Sequence, residues 1–305
     1  MNTSLENRLS QAAPKRYRIV DGSLLERSSL PYAYDLRIHQ LGAHTEAVAV
    51  PRYSWSEVDH VEAAALADAA MCENHIFKDG NWLPYTPSEQ ELLDRAAKNQ
   101  ERSARRARTN VRRLCKAKGL TTMLTLTYRE NMQDRDRMVR DFDVFMKRLR
   151  RVVPDVQYVC VFERQKRGAW HAHIAVPRVL SHYIHKGGLV KSYALLRSLW
   201  LAVVGPDNGG IDVSRNKRVA RSAGKLAAYL AKYITKSFGE FAEGGDSYRA
   251  SGKKLPQAVI IRMNTIDRIE AAKAISELLL DEMAQAGELH CAFLDGGGYF
   301  VSLSP

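Results

Sequence analysis

The chain has few cysteines, and their placement excludes two common small-domain scaffolds. Its 305 residues contain four cysteines and no Cys-X-X-Cys pair. Scattered single cysteines argue against a zinc ribbon and against a disulfide framework, and they suit a reducing compartment. Residues 1–16 are mostly polar and lack the apolar segment of a signal peptide. We therefore expect a cytoplasmic protein.

Long apolar runs and phosphate-binding loops are also missing. No apolar run approaches the ~20 residues of a membrane helix, so we expect no membrane association. The sequence contains no internal repeat and no Gly-X-X-X-X-Gly-Lys-Ser/Thr loop, which excludes a helicase of the P-loop kind. Acidic residues are in deficit, because 34 Asp and Glu oppose 46 Lys and Arg for a net charge of +12. This balance favours a polyanionic partner such as nucleic acid.

The basic residues are concentrated in two stretches. In residues 95–118, ten basic residues accompany a single acid, Glu101, in a segment with the pattern of a helix. A second run, residues 215–225, leads into another helix. A basic helix whose apolar side is weak and alanine-rich suits phosphates better than an anionic membrane. We expect DNA contacts from Arg102, Arg105, Arg106, Arg108, Arg112, Arg113, Lys217, Arg218, Arg221 and Lys225.

Two histidines separated by one residue form the first element with chemistry of its own. The segment Trp170–Val176 has the length and flanking residues of a strand. Side chains alternate along a strand, so His171 and His173 share one face, and the other face is apolar. A preceding strand over residues 156–163 and a short basic turn predict a hairpin that brings Glu163 beside both imidazoles. Two imidazoles and a carboxylate suit a divalent ion that also accepts a phosphate oxygen.

A pair of tyrosines is the second such element. Residues 220–238 have the period of an amphipathic helix, with a core face that repeats every fourth residue from Leu226 to Ile234. Tyr229 and Tyr233 are one helical turn apart and share a side of this helix away from that core face. Lysines on the same side are expected to favour the phenolate and to stabilise a phosphate. They are Lys225, Lys232 and Lys236.

Three segments together resemble a known family. Leu124-Thr-Leu-Thr127, then Glu163 with His171-Ala-His173, then Tyr229-Leu-Ala-Lys232-Tyr233 match, in order, the three motifs of the HUH endonucleases. The closer resemblance is to the rolling-circle replication initiators of small phages and plasmids with two catalytic tyrosines, of the phage gene A protein type. It covers residues 119–239, about two-fifths of the chain.

The resemblance implies a metal-dependent endonuclease and strand transferase. Such an enzyme nicks single-stranded DNA at an origin, holds the 5′ end as a phosphotyrosine and leaves a 3′-OH primer. Mg²⁺ or Mn²⁺ is the implied cofactor, origin DNA the implied substrate, and a host helicase and DNA polymerase in a bacterial cell the implied partners. The implied site comprises the metal ligands Glu163, His171 and His173 and the catalytic residues Tyr229, Tyr233, Lys232 and Lys236.

Two questions stay open at the level of sequence. Tyr229 with Lys232 also fits a one-tyrosine pattern, Tyr-X-X-Lys, but the two-tyrosine interpretation accounts for both phenols. The alternative functions are a relaxase or transposase of a mobile element, which shares the chemistry, and a non-catalytic origin-binding regulator. Relaxases usually place the tyrosine before the histidines and use a third histidine, whereas the third ligand here is Glu163.

The order strand, helix, hairpin, helix, strand, helix over the matching segment predicts an α+β fold. We expect a central, mainly antiparallel sheet flanked by helices, like the palm of HUH nucleases and RRM domains. The run 121–128 is expected to be the central strand, with helices over residues 134–153 and 193–204. The resulting parts are an N-terminal region (1–88), a basic helix (89–118), the endonuclease core (119–239) and a C-terminal extension (240–305).

The flanking parts are predicted in outline only. The N-terminal region is expected to contain a helix near residues 55–71. In the extension, residues 239–254 predict a loop or linker, residues 264–286 a helix, and residues 288–303 a hairpin. These parts are candidates for recognising the origin, for binding a helicase or for buttressing the core.

Overall fold

The computed structural model describes residues 17–20, 23–58, 75–78, 81–84, 86–214, 223–237, 248–264, 268–294 and 297–305. The described helices are α1 (Glu89–Ala117), α2 (Arg135–Arg150), α3 (Ser192–Val204), α4 (Ala223–Ser237), α5 (Arg268–Leu278) and α6 (Leu280–Gln285). The described strands are β1 (Tyr17–Val20), β2 (Ser23–Leu41), β3 (His44–Glu57), β4 (His75–Lys78), β5 (Asn81–Pro84), β6 (Thr122–Tyr128), β7 (Val159–Arg164), β8 (Trp170–Val176), β9 (His182–His185), β10 (Gly188–Lys191), β11 (Gly209–Ser214), β12 (Tyr248–Ala250), β13 (Val259–Asn264), β14 (Glu288–Phe293) and β15 (Tyr299–Ser304).

The first sheet is antiparallel and has the strand order β11-β6-β8-β7-β12. Because side chains alternate along each strand, the sheet buries two different faces. One face, with Leu126, Phe162 and Ile174, packs against α2 and α3. The opposite face, with Val161 and Ala175, packs against α1 and α4. The predicted α+β class, a mainly antiparallel sheet flanked by helices, is therefore confirmed.

Helix α2 shows how the sequence fixes one layer. The Asp134 side chain caps its first turn by accepting a hydrogen bond from the backbone N–H of Arg137. Four residues spaced three or four apart form its apolar stripe, and all are buried in the core under the sheet. Each such side chain contributes roughly 1.5–3 kcal/mol by leaving water. They are Met138, Phe142, Phe145 and Leu149.

Helix α4 is rotated so that its aliphatic side enters the core. Leu226, Leu230 and Ile234 are buried between α1 and the first sheet, as their fourfold spacing predicts. This packing leaves Tyr229 and Tyr233 half-buried at the edge of the same core. The tyrosine side of the helix therefore faces the sheet surface that carries the histidines.

A second antiparallel sheet lies against α1. Its strand order is β1-β2-β3-β15-β14, and β13 also pairs with β2. One face is covered by α5, which contributes Ala271 and Ile275 to a separate apolar core. The other face is polar and presents Glu46, fully buried, to the basic side chains of α1.

The predicted helical character of the N-terminal region is wrong for the described residues. Residues 17–57 are almost entirely strand, and Trp55 lies in β3 rather than in a helix. The remainder of that predicted helix, residues 59–74, lies outside the described residues. Strand β3 pairs with β15 from the other end of the chain, a partnership that local sequence pattern does not show.

Three further expectations are corrected. The central strand of the first sheet is β8, with β6 beside it. The predicted helix over residues 264–286 starts only at Arg268 and is interrupted at Leu279, whose side chain is buried in the second core. The predicted loop over residues 239–254 contains β12, which pairs with β7 and buries Tyr248. The C-terminal hairpin is confirmed as β14 and β15.

Candidate functional site

The hairpin of β7 and β8 forms as predicted. Glu163 pairs directly with His171, and Val161 pairs with His173, so all three polar side chains lie on the face toward α4. Gly168 adopts a φ of 91° in the connecting turn, a conformation that glycine tolerates at low cost. The three residues are buried despite their polarity, with exposed fractions of 8% for Glu163, 7% for His171 and 6% for His173.

His171 is held from one side by a residue that the sequence did not single out. The side-chain amide of Gln165 lies 3.0 Å from its Nδ1. Its Nε2 is buried and has no hydrogen-bond partner among the described residues. Burial, His173 and Arg167 lower the pKa of His171 to about 4, against the opposing effect of Glu163. The imidazole is therefore neutral near neutral pH, with Nε2 open to a ligand.

His173 is held from both ring nitrogens. Its Nε2 lies 2.8 Å from Glu163 Oε2, and its Nδ1 lies 3.3 Å from the hydroxyl of Thr125. Thr125 reaches this position because it pairs with His173 across β6 and β8. The alternation of β6 puts Thr125 opposite the buried leucines, a signal that would have identified it from sequence.

Tyr233 lies directly on the histidine pair. Its ring stacks on the imidazole of His173 with centroids 4.0 Å apart and planes inclined by 10°. Its hydroxyl donates a hydrogen bond of 2.5 Å to the hydroxyl oxygen of Tyr229, and the two rings meet edge to face. The structure thus brings together both tyrosines, both histidines and Glu163.

The lysines do not act on Tyr233 as expected. Burial, the hydrogen bond to Tyr229 and the charge of Glu163 raise the pKa of Tyr233 well above its usual range. Lys232 is exposed, so water and salt weaken the effect of its charge on the phenols. The side chain of Lys236 lies outside the described residues. The expectation that neighbouring lysines favour the phenolate is therefore wrong for Tyr233 in the protein without substrate.

The donor set fits the metal that the sequence predicts. Within the described residues, no three His, Cys, Asp or Glu side chains already form a metal-binding group. The unpartnered Nε2 of His171 and the Glu163–His173 contact nevertheless offer two nitrogens and a carboxylate in one buried place. Gln165 and Thr125 hold the other ring nitrogens, as outer-shell partners of metal-bound histidines do. Binding an ion there requires the hydrogen bond between Glu163 and His173 to open.

The predicted DNA-binding residues of α1 fall into two groups. Four are exposed on the projecting side of the helix, namely Arg102, Arg105, Arg106 and Arg108. Arg112 and Arg113 are not free on the surface as expected, because both form ion pairs with Glu46 of the second sheet. Lys225 is exposed at the start of α4 and pairs with Glu288. The predicted contacts Lys217, Arg218 and Arg221 lie outside the described residues.

A family model for replication-associated proteins of the ORF2 type matches residues 121–238. The matched stretch runs from the start of β6 to the end of α4, so it contains Glu163, both histidines and both tyrosines. It covers less than half of the chain and supports a role in DNA replication for this part of the molecule. Neither curated proteins nor solved structures gave a match. No helix that the structure describes is both long and apolar enough to cross a bilayer.

Proposed function

We propose that this chain initiates rolling-circle DNA replication by nicking and rejoining one strand at an origin through a phosphotyrosine intermediate. The observation that carries the proposal is the stack of Tyr233 on His173, with the Tyr229 hydroxyl 2.5 Å from that of Tyr233. One phosphate bound at the histidines lies within reach of both phenols. The similarity of residues 121–238 to replication-associated proteins gives this chemistry its biological setting.

The proposed reaction is a transfer between two oxygens. A tyrosine oxygen attacks the phosphorus of a backbone phosphodiester, and the P–O3′ bond breaks as the P–O bond to tyrosine forms. The phenol loses its proton and the departing 3′ oxygen gains one, which yields a 5′-phosphotyrosine and a free 3′-OH. No water is consumed, so a 3′-OH that attacks the phosphotyrosine reverses the reaction and rejoins the strand.

Each residue of the site has a distinct task. Glu163, His171 and His173 would hold Mg²⁺ or Mn²⁺, which polarises a non-bridging oxygen of the phosphate when bound. Tyr229 and Tyr233 are the nucleophiles, one holding the 5′ end while the other cuts the regenerated origin. Burial of the imidazoles keeps water away from the phosphotyrosine and thereby protects it from hydrolysis.

The remaining parts of the proposal concern partners. The exposed arginines of α1 bind the backbone of the DNA, with the strong salt dependence that phosphate contacts bring. The 3′-OH primes a host polymerase, and a host helicase separates the strands in the cytoplasm of the bacterial cell. Lys232 and Lys236 are proposed to contact the phosphate once it is bound.

The decisive experiment detects the covalent intermediate. Labelled single-stranded oligonucleotides that tile the DNA carrying the gene are incubated with the protein and Mg²⁺ or Mn²⁺. We expect a protein–DNA band that survives SDS, fails to form when EDTA is present from the start, and is absent from the double variant Tyr229→Phe, Tyr233→Phe. A protein that binds these oligonucleotides without ever forming the band would be a non-catalytic regulator, and the proposal would fail.

Single substitutions separate one-tyrosine from two-tyrosine chemistry. Tyr229→Phe and Tyr233→Phe should each retain some covalent band, because the remaining hydroxyl occupies nearly the same place. Complete loss of first-strand cleavage in one single variant would leave a single nucleophile. Strand transfer to a second oligonucleotide carrying a free 3′-OH should then distinguish an initiator that closes circles from an enzyme that only nicks.

A further inference from the structure

A cleft of about 610 Å³ separates α1 and the beginning of α4 from the C-terminal hairpin. The two helices contribute Arg112, Lys116 and Lys225, and the hairpin contributes His290 and Phe300. The reaction described above does not use this cleft. Its two walls come from opposite ends of the tyrosine-bearing core and the second sheet, so it forms only when the whole chain is folded.

The hairpin side of the cleft presents an aromatic platform. Strand alternation puts His290 and Phe300 on the face opposite the apolar core of the second sheet. Their rings meet edge to face with centroids 6.2 Å apart. The guanidinium carbon of Arg112 lies 5.5 Å from the centre of the Phe300 ring. A half-buried aromatic face flanked by a cation is the arrangement on which nucleic-acid bases stack.

The helix side of the cleft has an excess of positive charge. Glu46 is the shared carboxylate partner of Arg112, Arg113 and Lys116, with nitrogen–oxygen distances of 3.1, 3.0 and 2.9 Å. One carboxylate neutralises one of three cations, so the cluster attracts an anion. The Nε of Arg112 is buried with no hydrogen-bond partner among the residues described, which leaves a donor for a phosphate oxygen.

The cleft begins close to the tyrosines. Lys225 and Tyr229 are four residues apart on α4, which corresponds to about 6 Å along the helix axis. Lys225 pairs with Glu288 of β14 and so marks where α4 meets the hairpin. A strand held at Tyr229 therefore has the cleft one helical turn away, well within the span of one or two nucleotides.

We infer that this cleft binds the single-stranded DNA adjacent to the cleaved phosphate, with one base stacked on Phe300 and the backbone held by Arg112 and Lys225. The inference rests on the proposed function, because it assigns a path to the strand that the tyrosines cut. It gives the C-terminal hairpin a direct part in substrate binding.

The test measures binding without cleavage. Fluorescence anisotropy is recorded for the full chain with a labelled single-stranded oligonucleotide of mixed sequence and about 30 nucleotides, in EDTA. Phe300→Leu and His290→Ala should each weaken binding, Phe300→Leu by roughly tenfold. The matched control is Phe293→Leu, on the same hairpin but on the opposite face and 54% exposed, which should leave the affinity unchanged. Circular dichroism shows that each variant is folded.

A second measurement locates the strand directly. Oligonucleotides in which 5-iododeoxyuridine replaces thymidine are cross-linked by ultraviolet light, and the joined peptides are identified by mass spectrometry. We expect a cross-link in the peptide that contains Phe300, lost in Phe300→Leu. Wild-type affinity in both Phe300→Leu and His290→Ala, with cross-links only elsewhere, would overturn the inference. So would a duplex of the same sequence that binds as tightly as the single strand and depends equally on Phe300.

The two proposals fail separately. Loss of binding in Phe300→Leu in a protein that never forms the covalent band would retain the cleft as a DNA site and remove the nickase. A normal covalent band together with unaltered binding in both cleft variants would do the reverse.

Discussion

The phenol ring of Tyr233 lies flat against the imidazole of His173, with centroids 4.0 Å apart and planes inclined by 10°. This contact joins helix α4 to strand β8, so the orientation of a proposed nucleophile and that of a proposed metal ligand depend on each other. The same ring carries the hydroxyl that donates to Tyr229. One aromatic contact therefore aligns the two halves of the candidate site.

The stack predicts a difference between two substitutions of Tyr233. Tyr233→Phe keeps the ring and removes only the hydroxyl, whereas Tyr233→Leu removes the stack as well. Aromatic pairs contribute about 0.5–1.5 kcal/mol beyond their buried area, so the leucine variant should be less stable than the phenylalanine variant by that amount. Chemical denaturation measures the difference.

The same pair of variants tests the alignment of the site. Tyr233→Phe should still form the covalent band through Tyr229, and Tyr233→Leu should form much less because His173 loses its support. Equal band formation by the two variants would show that the stack does not position the site.

Gln165 and Thr125 are predicted to control metal affinity without binding the metal. Each holds the Nδ1 of one histidine, at 3.0 Å for Gln165 and 3.3 Å for Thr125, and so directs the Nε2 atoms. Losing such a partner typically weakens metal binding about 10–100-fold. Gln165→Leu and Thr125→Val should show this loss when Mn²⁺ binding to the protein without DNA is followed by calorimetry or by electron paramagnetic resonance.

A neighbouring threonine provides the control for this prediction. Thr127 lies on the same face of β6, but its hydroxyl donates to the carbonyl of Gly210 and contacts no histidine in the described structure. Thr127→Val should therefore bind Mn²⁺ like the wild type. A loss of affinity in Thr127→Val equal to that in Thr125→Val would assign the effect to the strand and not to the hydrogen bond.

Local periodicity was sufficient to predict the chemical face of the first sheet. The twofold alternation of β8 puts His171 and His173 on one side, and the fourfold spacing of α4 puts Leu230 in the core. These predictions hold because each depends on residues within one strand or one helix. The pairing of Glu163 with His171 also follows from a short hairpin turn, whose geometry leaves little freedom.

Contacts between distant segments could not be predicted in this way. Arg112 and Glu46 are 66 residues apart, and the sequence shows only that Arg112 belongs to a basic run. The stack of Tyr233 on His173 depends on how α4 sits on the sheet, which is set by the combined packing of two helices and three strands. The second sheet was missed for the same reason, since Thr45 of β3 pairs with Leu303 near the C-terminus.

Helix α4 is predicted to be held in place mainly by its aliphatic side. Leu230 is 0% exposed in the core shared with α1 and the first sheet. Leu230→Ala should lower the free energy of unfolding by about 2–5 kcal/mol, because the cavity left behind cannot fully collapse. The control is Leu280→Ala, since Leu280 is 64% exposed and its truncation should have little effect. Comparable losses in the two variants, measured by thermal or urea denaturation, would contradict this packing of α4.

Glu46 is predicted to give the fold a marked sensitivity to acid. Burial raises its pKa, but the charges of Arg112 and Lys116 and hydrogen bonds from Lys116 and Arg113 outweigh this, lowering the pKa from 4.5 to about 2. A carboxyl with a lowered folded-state pKa stabilises the fold above its unfolded pKa, and this contribution is lost as the pH falls toward the folded value. The loss should therefore occur between pH 4.5 and about 2. A shift of this size corresponds to about 3 kcal/mol.

Glu46→Gln should remove that contribution at all pH values, so its free energy of unfolding should be about 3 kcal/mol lower than that of the wild type near neutral pH. The two proteins should converge as the pH approaches 2, because Glu46 is then protonated in both the folded and the unfolded wild type. Glu101→Gln is the matched control: its carboxylate pairs with Arg105 on the same helix, but both side chains are more than half exposed, so the effect should stay below about 1 kcal/mol. Urea denaturation followed by circular dichroism across this pH range decides the matter. A wild type and Glu46→Gln that differ by the same amount at every pH would show that the glutamine variant loses packing and not charge.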